Sequence, residues 1–477
     1  MARRRGDVGH SVNPMISHTS TSPYDELRSR LSGVLYEPGS AGYDEACTLF
    51  NSMIERRPAL VARCASPQDV IASLAFAADH GLEVAVRAGG HSVAGLSLLD
   101  DGLVIDVRGM AGVEVDPARR IARVGAGATW SDVDRATQRH GLATTGGRVS
   151  STGVAGLTLG GGSGWLERKH GLACDNLVAV ELVTADGELV RASEDQHPDL
   201  FWALRGGGGN FGVATAFEFR LHPLESEVLA GIALWPADRG RELLALYRDV
   251  MSDAPEGLSL AFVYLTGPPE KDIPAHLHGQ PLVAVAGMYA GSLEEGEEAI
   301  REIRAFGPPE VDFFGPMAYA DFQCMIDDPP GLRNYWTAEH LTDLSADAIE
   351  TIARRSEEMP TGASQLFLVS WGGALARVSE ADSPLAGRNA RFVVHPFALW
   401  EDPADDERLI GWARAFREDL AGFATGAVYL NFIGDEGESR VRSGYLPGSH
   451  ERLASIKAEW DPENVFRASG NVAPTTR

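Results

Sequence analysis

The sequence predicts an α+β protein of two lobes, and three observations carry that expectation. Over residues 25–225, short strands, hairpin turns and short helices alternate around several glycine-rich loops. From about Glu225 the glycines thin out and long alternating segments follow: Leu258 to Leu265, Pro281 to Met288, Gln365 to Trp371 and Arg391 to Trp400. Helical stretches, Leu293 to Phe306 and Asp347 to Glu358, lie between them. That pattern suits one broad antiparallel sheet with helices on one face. Finally, 477 residues are more than one hydrophobic core can serve, since single cores stop growing near ~250–300 residues.

Residues 1–24 are polar, rich in Ser, Thr and Arg, and read as a disordered arm ahead of the first lobe. Ser66-Pro67-Gln68-Asp69 is a helix start, with Ser as cap, Pro at the first helical position and Asp in the first turn. Val70, Ile71, Leu74 and Phe76 give the helix an apolar face, and Gly81 ends it. Leu82, Val84 and Val86 then alternate as a strand that empties into Arg87-Ala88-Gly89-Gly90-His91-Ser92. Leu103 to Val107 is a further strand, Val113 to Val124 a hairpin turning at Asp116-Pro117, and Ser131 to His140 a helix stopped by Gly141. Leu177 to Val183 and Leu189 to Ala192 are strands around Asp186-Gly187, a strong hairpin signal.

The net charge of −25 argues against nucleic-acid binding, which draws on clustered Lys and Arg. It also means that an anionic ligand has to be neutralised locally, by backbone N–H groups of glycine-rich loops that come close because no Cβ holds the ligand off. The four cysteines, Cys47, Cys64, Cys174 and Cys324, are scattered and form no C-x-x-C pair, the usage of a reduced, cytoplasmic protein. The basic start Met1 to Arg5 lacks an apolar stretch behind it, so no secretory signal is expected. No run of ~18 apolar residues suggests a membrane span. His276 and His278 lie two apart in a loop-like stretch without matching ligands, so no metal is expected.

Four ordered motifs carry chemistry. Arg87 to Ser92 comes first, then Val149-Ser150-Ser151-Thr152-Gly153-Val154-Ala155-Gly156 running on to Gly160-Gly161-Gly162-Ser163-Gly164 and Arg168-Lys169-His170-Gly171. Gly206 to Gly212 and Trp460-Asp461-Pro462-Glu463-Asn464 complete the set. The glycine run at 160–164 fails as a dinucleotide fingerprint, because it sits in no clear βαβ unit and no ribose-binding acid follows.

Together these segments resemble the flavin-linked oxidases of the vanillyl-alcohol-oxidase superfamily, and within it the berberine-bridge-enzyme-like branch, over nearly the whole chain from Tyr36. The resemblance implies an FAD-binding lobe over 25–225, an antiparallel-sheet substrate lobe over 226–435 and a return of 436–477 to the FAD lobe. It implies FAD contacts at Arg87, Gly89, Gly90, His91, Ser92, Val149, Ser151, Thr152, Gly153, Gly156, Gly160, Gly161, Gly164, Asn176, Val183, Asn431 and Asn471. His91 falls where relatives bond a histidine covalently to the flavin 8α-methyl. Many relatives add a cysteine link, but Val149 occupies that position and offers no nucleophile, so a single link is expected.

The implied activity is oxidation of a secondary-metabolite-like alcohol, amine or polyketide, with dioxygen as acceptor. Flavin-bound-oxygen, monooxygenase-like chemistry is the alternative. Tyr429, in the Tyr-x-Asn segment Tyr429-Leu430-Asn431, is either a base or a wall of the pocket; a phenol with a pKa near ~10 acts as a base only beside a positive neighbour. Tyr264, Phe367 and His395 are the other pocket candidates, because alternation sends one face of each strand to the flavin. His395 is either the available base or a satisfied core histidine.

Overall fold

A computed structural model describes residues 24–327 and 329–475. Of the expected arm, residues 1–23 lie outside the described residues, and the first described helix is Asp25–Arg30. The helix Pro67–His80 forms as its signals require: the Ser66 side chain accepts the Asp69 N–H, and Gly81, at φ 64°, closes it in a left-handed turn. It leads into the strand Val84–Arg87, which runs parallel to Leu103–Asp106, itself parallel to Leu60–Arg63, with Val34–Tyr36 antiparallel at the edge. A second, five-stranded antiparallel sheet contains both anticipated hairpins, Val113–Asp116 with Ile121–Gly125 and Leu177–Val183 with Leu189–Ser193, joined through Val213–Arg220.

The second lobe is a nine-stranded antiparallel sheet. At its centre Val228–Pro236, Pro281–Tyr289, Leu258–Thr266, Gln365–Ser370 and Phe392–Trp400 pair in that order. The strand Val228–Pro236 and the helices Gly240–Ser252 and Asp406–Leu420 were not anticipated; the strand is apolar almost throughout and shows no alternation. The stretch Leu293 to Phe306 breaks at Ile300 into two short helices, Leu293–Ala299 and Arg301–Ala305.

Strand alternation decides what each face of this sheet meets. Leu260, Phe262, Tyr264, Leu366 and Leu368 pack under the helices against Leu243, Tyr247, Ile352 and Phe416. Val263 and Phe367 belong to the opposite face and join the core shared with the first lobe. Tyr264 is therefore a correction: the pocket receives Val263 instead, because neighbouring residues of a strand point to opposite faces.

Asp134, on the helix Trp130–Gln138, is 1% exposed. Its Oδ2 accepts Gln323 Nε2 at 2.9 Å, the same amide that donates to Gly147 O at 3.0 Å, while Oδ1 has no partner. Burial pushes this carboxyl up to about 7, against the opposing effect of the Gln323 bond. The folded state thus holds a proton that the unfolded chain releases near 3.8. Stability linked to it is complete below that value and is lost as pH rises through 7. Asp134→Asn is expected to gain on the order of 3 kcal/mol relative to wild type between pH 5 and pH 7, at about 1.4 kcal/mol per pH unit, with no further gain from pH 7 to pH 9. Thermal melts of both proteins across that range check it; a pH-independent difference would contradict the assignment.

Candidate functional site

One cavity of about 1640 Å³ runs between the lobes. Its floor is made where the two long glycine loops touch. A Cβ on Gly89 would lie 2.3 Å from the Gly153 backbone nitrogen, and one on Gly153 the same distance from that of Gly89, so only glycine admits this contact. Gly90 turns at φ 74° just before His91. The Phe50 ring stacks on the His91 imidazole with centroids 4.5 Å apart, and Ser151 Oγ lies 3.0 Å from Nε2. Burial drives the His91 pKa down to about 4 despite the nearby Asp327 charge, so the ring is neutral at physiological pH.

The opposite end is an aromatic chamber on the sheet. Register places Val263, Phe367 and His395 side by side on three adjacent strands, all toward the cavity. His395 is 1% exposed; its Nδ1 donates to Thr337 O at 2.8 Å, its ring stacks on Phe432 at 4.3 Å, and Phe397 and Trp336 lie alongside. Burial lowers its pKa to about 3, so Nε2 carries a lone pair rather than a proton.

Among the expected cofactor positions, Gly89, Gly90, His91, Ser92, Val149, Thr152, Gly153, Gly156, Gly160 and Asn431 border this cavity. Ser151 stands just behind, through its bond to His91. The others do not border it, each for a definite reason. The Arg87 guanidinium turns away and donates to the carbonyls of Ala46 and Thr48. Gly161 gives room to the Tyr429 ring, and Gly164 to Gly146 O. The Asn176 amide is spent on His170 O and Leu172 O, with its oxygen accepting His222 Nε2 at 2.7 Å. Val183 is fully buried in a strand, and Asn471 is exposed, while Ala468, Ser469 and Gly470 beside it form the wall.

Tyr429 is corrected as a base and as a wall. Its hydroxyl oxygen accepts the N–H groups of Gly162 at 2.7 Å and Ser163 at 2.8 Å and the Asn431 amide at 3.0 Å. Burial raises its pKa well above the ordinary phenol value, so it holds the glycine loop in shape rather than taking a proton.

Sequence reasoning missed Phe397, Trp336, Phe432 and Arg148. Phe397 was within reach, two residues beyond His395 on the same strand face. Arg148 is 7% exposed and paired to the buried Glu167 at 2.6 Å, with its guanidinium 5.0 Å from the Trp165 ring centroid.

The lining suits an anionic dinucleotide. Arg56 and Arg148 are its only cationic side chains among the described residues, and Arg56 is turned to Leu98 O. Phosphate charge therefore falls to loop N–H groups, for which Gly206, Gly209 and Gly212 stand in the wall, the Gly208 N–H being taken by Leu159 O. Ser469 Oγ, buried there without a partner, is a spare donor.

Residues 58–193 match the family described as FAD binding domain, and residues 428–473 the family described as berberine and berberine like. An FAD-linked oxidoreductase of Dictyostelium discoideum is 31% identical over 463 residues, 95% of this chain and 98% of that one. The chain belongs to the berberine-bridge-enzyme-like FAD-linked oxidoreductases. The fold agrees: the crystal structure of 6-hydroxy-D-nicotine oxidase from Arthrobacter nicotinovorans superposes with a TM-score of 0.84 at 30% identity, covering 93% of this chain and 98% of that one. Over 233 residues, 48% of this chain and 45% of the relative, an FAD-dependent monooxygenase of Fusarium proliferatum is 40% identical. This berberine-bridge-like chain is thus an FAD-linked oxidoreductase of the oxidase type, built as the expected α+β pair of an FAD lobe and a large antiparallel sheet.

Proposed function

We propose that the protein is an FAD-dependent oxidase with its flavin bonded to His91, acting on an alcohol, amine or polyketide-type carbon of a secondary-metabolite-like molecule, with dioxygen as acceptor. The supporting observation is the continuity of one cavity from the Gly89–Gly153 floor and His91 to the aromatic chamber at His395. Bound FAD supplies a hydride acceptor that returns its electrons to dioxygen; the protein supplies orientation and electrostatics. Phe367, Phe397, Phe432 and Trp336 hold an apolar substrate and exclude water. The Thr337 carbonyl fixes the His395 tautomer, so Nε2 accepts a hydrogen bond from the substrate's O–H or N–H and orients the reacting carbon for hydride departure. Val149 borders the cavity and none of the four cysteines does, in keeping with a single link.

His91→Ala tests the tether. The wild type is expected to keep its flavin through acid precipitation and the variant to lose it. Losing the electron-withdrawing bond also lowers the flavin potential, and each 30 mV removes about 1.4 kcal/mol of driving force, up to about tenfold in hydride-transfer rate. Flavin fluorescence that stays with the His91→Ala polypeptide on a denaturing gel would refute the tether.

The 40% match to a monooxygenase over 48% of the chain favours one second reading, oxygen transfer through flavin-bound oxygen. It predicts an oxygenated-flavin absorbance in the resting enzyme and oxygen from dioxygen in the product, whereas the oxidase reading predicts stoichiometric hydrogen peroxide.

A further inference from the structure

Ser151 and His91 lie 60 residues apart in sequence, yet the Ser151 hydroxyl and His91 Nε2 share a 3.0 Å hydrogen bond. The meeting is enforced on both sides. The Gly89–Gly153 backbone contact locks the two loops together, and Phe50 stacks on the imidazole, its plane 19° from that of the ring. The Ser151 loop is itself fixed: Ser150 donates its N–H and hydroxyl to Asp327 at 2.6 and 2.5 Å, and Ser150 O and Thr152 O accept the N–H groups of Ser131 and Trp130. No described residue bonds to His91 Nδ1.

We infer that Ser151 is the positioning residue for flavin attachment: by accepting the Nε2–H of His91 it leaves the lone pair on Nδ1 and selects Nδ1 as the nitrogen that bonds the flavin. The inference rests on the covalent reading above. The new bond joins Nδ1 to the 8-methyl carbon, which loses one hydrogen, and Nε2 loses the other. The two electrons pass to the ring, giving reduced flavin, and dioxygen takes them with both protons as hydrogen peroxide. One peroxide forms per flavin attached. Afterwards Nε2 has no proton, and the hydrogen bond to Ser151 reverses, with the hydroxyl now donating. A hydroxyl serves in both directions, since it is donor and acceptor at once; alanine serves in neither, and threonine in both.

Wild type, Ser151→Ala and Ser151→Thr are purified, incubated with FAD in air and sampled by acid precipitation. Wild type and Ser151→Thr are expected to reach full covalent occupancy. Ser151→Ala, yellow and with an unchanged melting temperature, should attach flavin at least tenfold more slowly. The pH dependence of fluorescence of the excised flavin peptide reports which nitrogen is bonded: Nδ1 in wild type, a mixture of both in Ser151→Ala. A wild-type linkage through Nε2, or a Ser151→Ala protein that attaches flavin as fast and as uniformly as wild type, overturns the inference and leaves the tether standing. A wild type that sheds its flavin in acid sinks the tether and this inference together. Should Ser151→Ala not fold, the nitrogen found in the wild-type peptide and the occupancy of Ser151→Thr still decide it.

Discussion

Replacing His395 with alanine is expected to slow substrate oxidation by about 10²-fold, the cost of misplacing a substrate that has lost its orienting hydrogen-bond acceptor, with the flavin still bound. The residue sits on the central strand Phe392–Trp400, paired to Phe367 across the register. Thr337 O orients one nitrogen and leaves the other to the cavity. Anaerobic mixing with substrate isolates the step: flavin bleaching should slow, whereas reoxidation by dioxygen should not. His395→Phe separates chemistry from packing, because it retains a ring against Phe432 but offers no acceptor. If His395→Phe bleaches as fast as wild type, the histidine only fills space. Because burial holds its pKa near 3, the wild-type bleaching rate should show no step from this group between pH 5 and pH 9.

Lys457→Ala is expected to cost about 3–5 kcal/mol, the penalty for leaving one member of a buried ion pair alone. Lys457 and Asp461 are both fully buried and lie 2.5 Å apart. The ammonium also donates to Asn210 O at 2.7 Å and Phe466 O at 3.0 Å, while the carboxylate accepts the N–H groups of Val465 and Phe466. This clip fastens the chain's last segment to the Gly206–Gly212 loop, and both border the cavity. The melting temperature should fall by several degrees. Lys457→Met with Asp461→Asn should recover part of the loss, because the stranded charge is then gone. A single variant that melts within a degree of wild type would show that the clip bears no weight.

Much of this molecule was written in short-range signals. The helix over 67–80 carries its own cap, starting proline and closing glycine, the hairpins at 113–125 and 177–193 carry their turns, and alternation marked the long strands of the second lobe. These depend on neighbours a few residues away, so sequence alone settles them. Gly89 and Gly153 were legible as close-approach positions for the same reason: the absence of a Cβ is a local fact.

What each loop approaches was not legible. That Gly89 meets Gly153, that Tyr429 spends its hydroxyl on the 162–163 loop, and that Asn176 is consumed by His170 and Leu172 are contacts set by the packing of distant segments. Strand facing has the same origin. A period of two identifies two sets of residues but does not say which meets the cavity, so moving from Tyr264 to Val263 exchanges the helix face for the pocket. The sequence by itself determined the two-lobed α+β plan, the glycine loops and His91 as the residue to watch. Tertiary structure alone decided which side chains converge, because only the closed fold fixes the register and burial on which their chemistry depends.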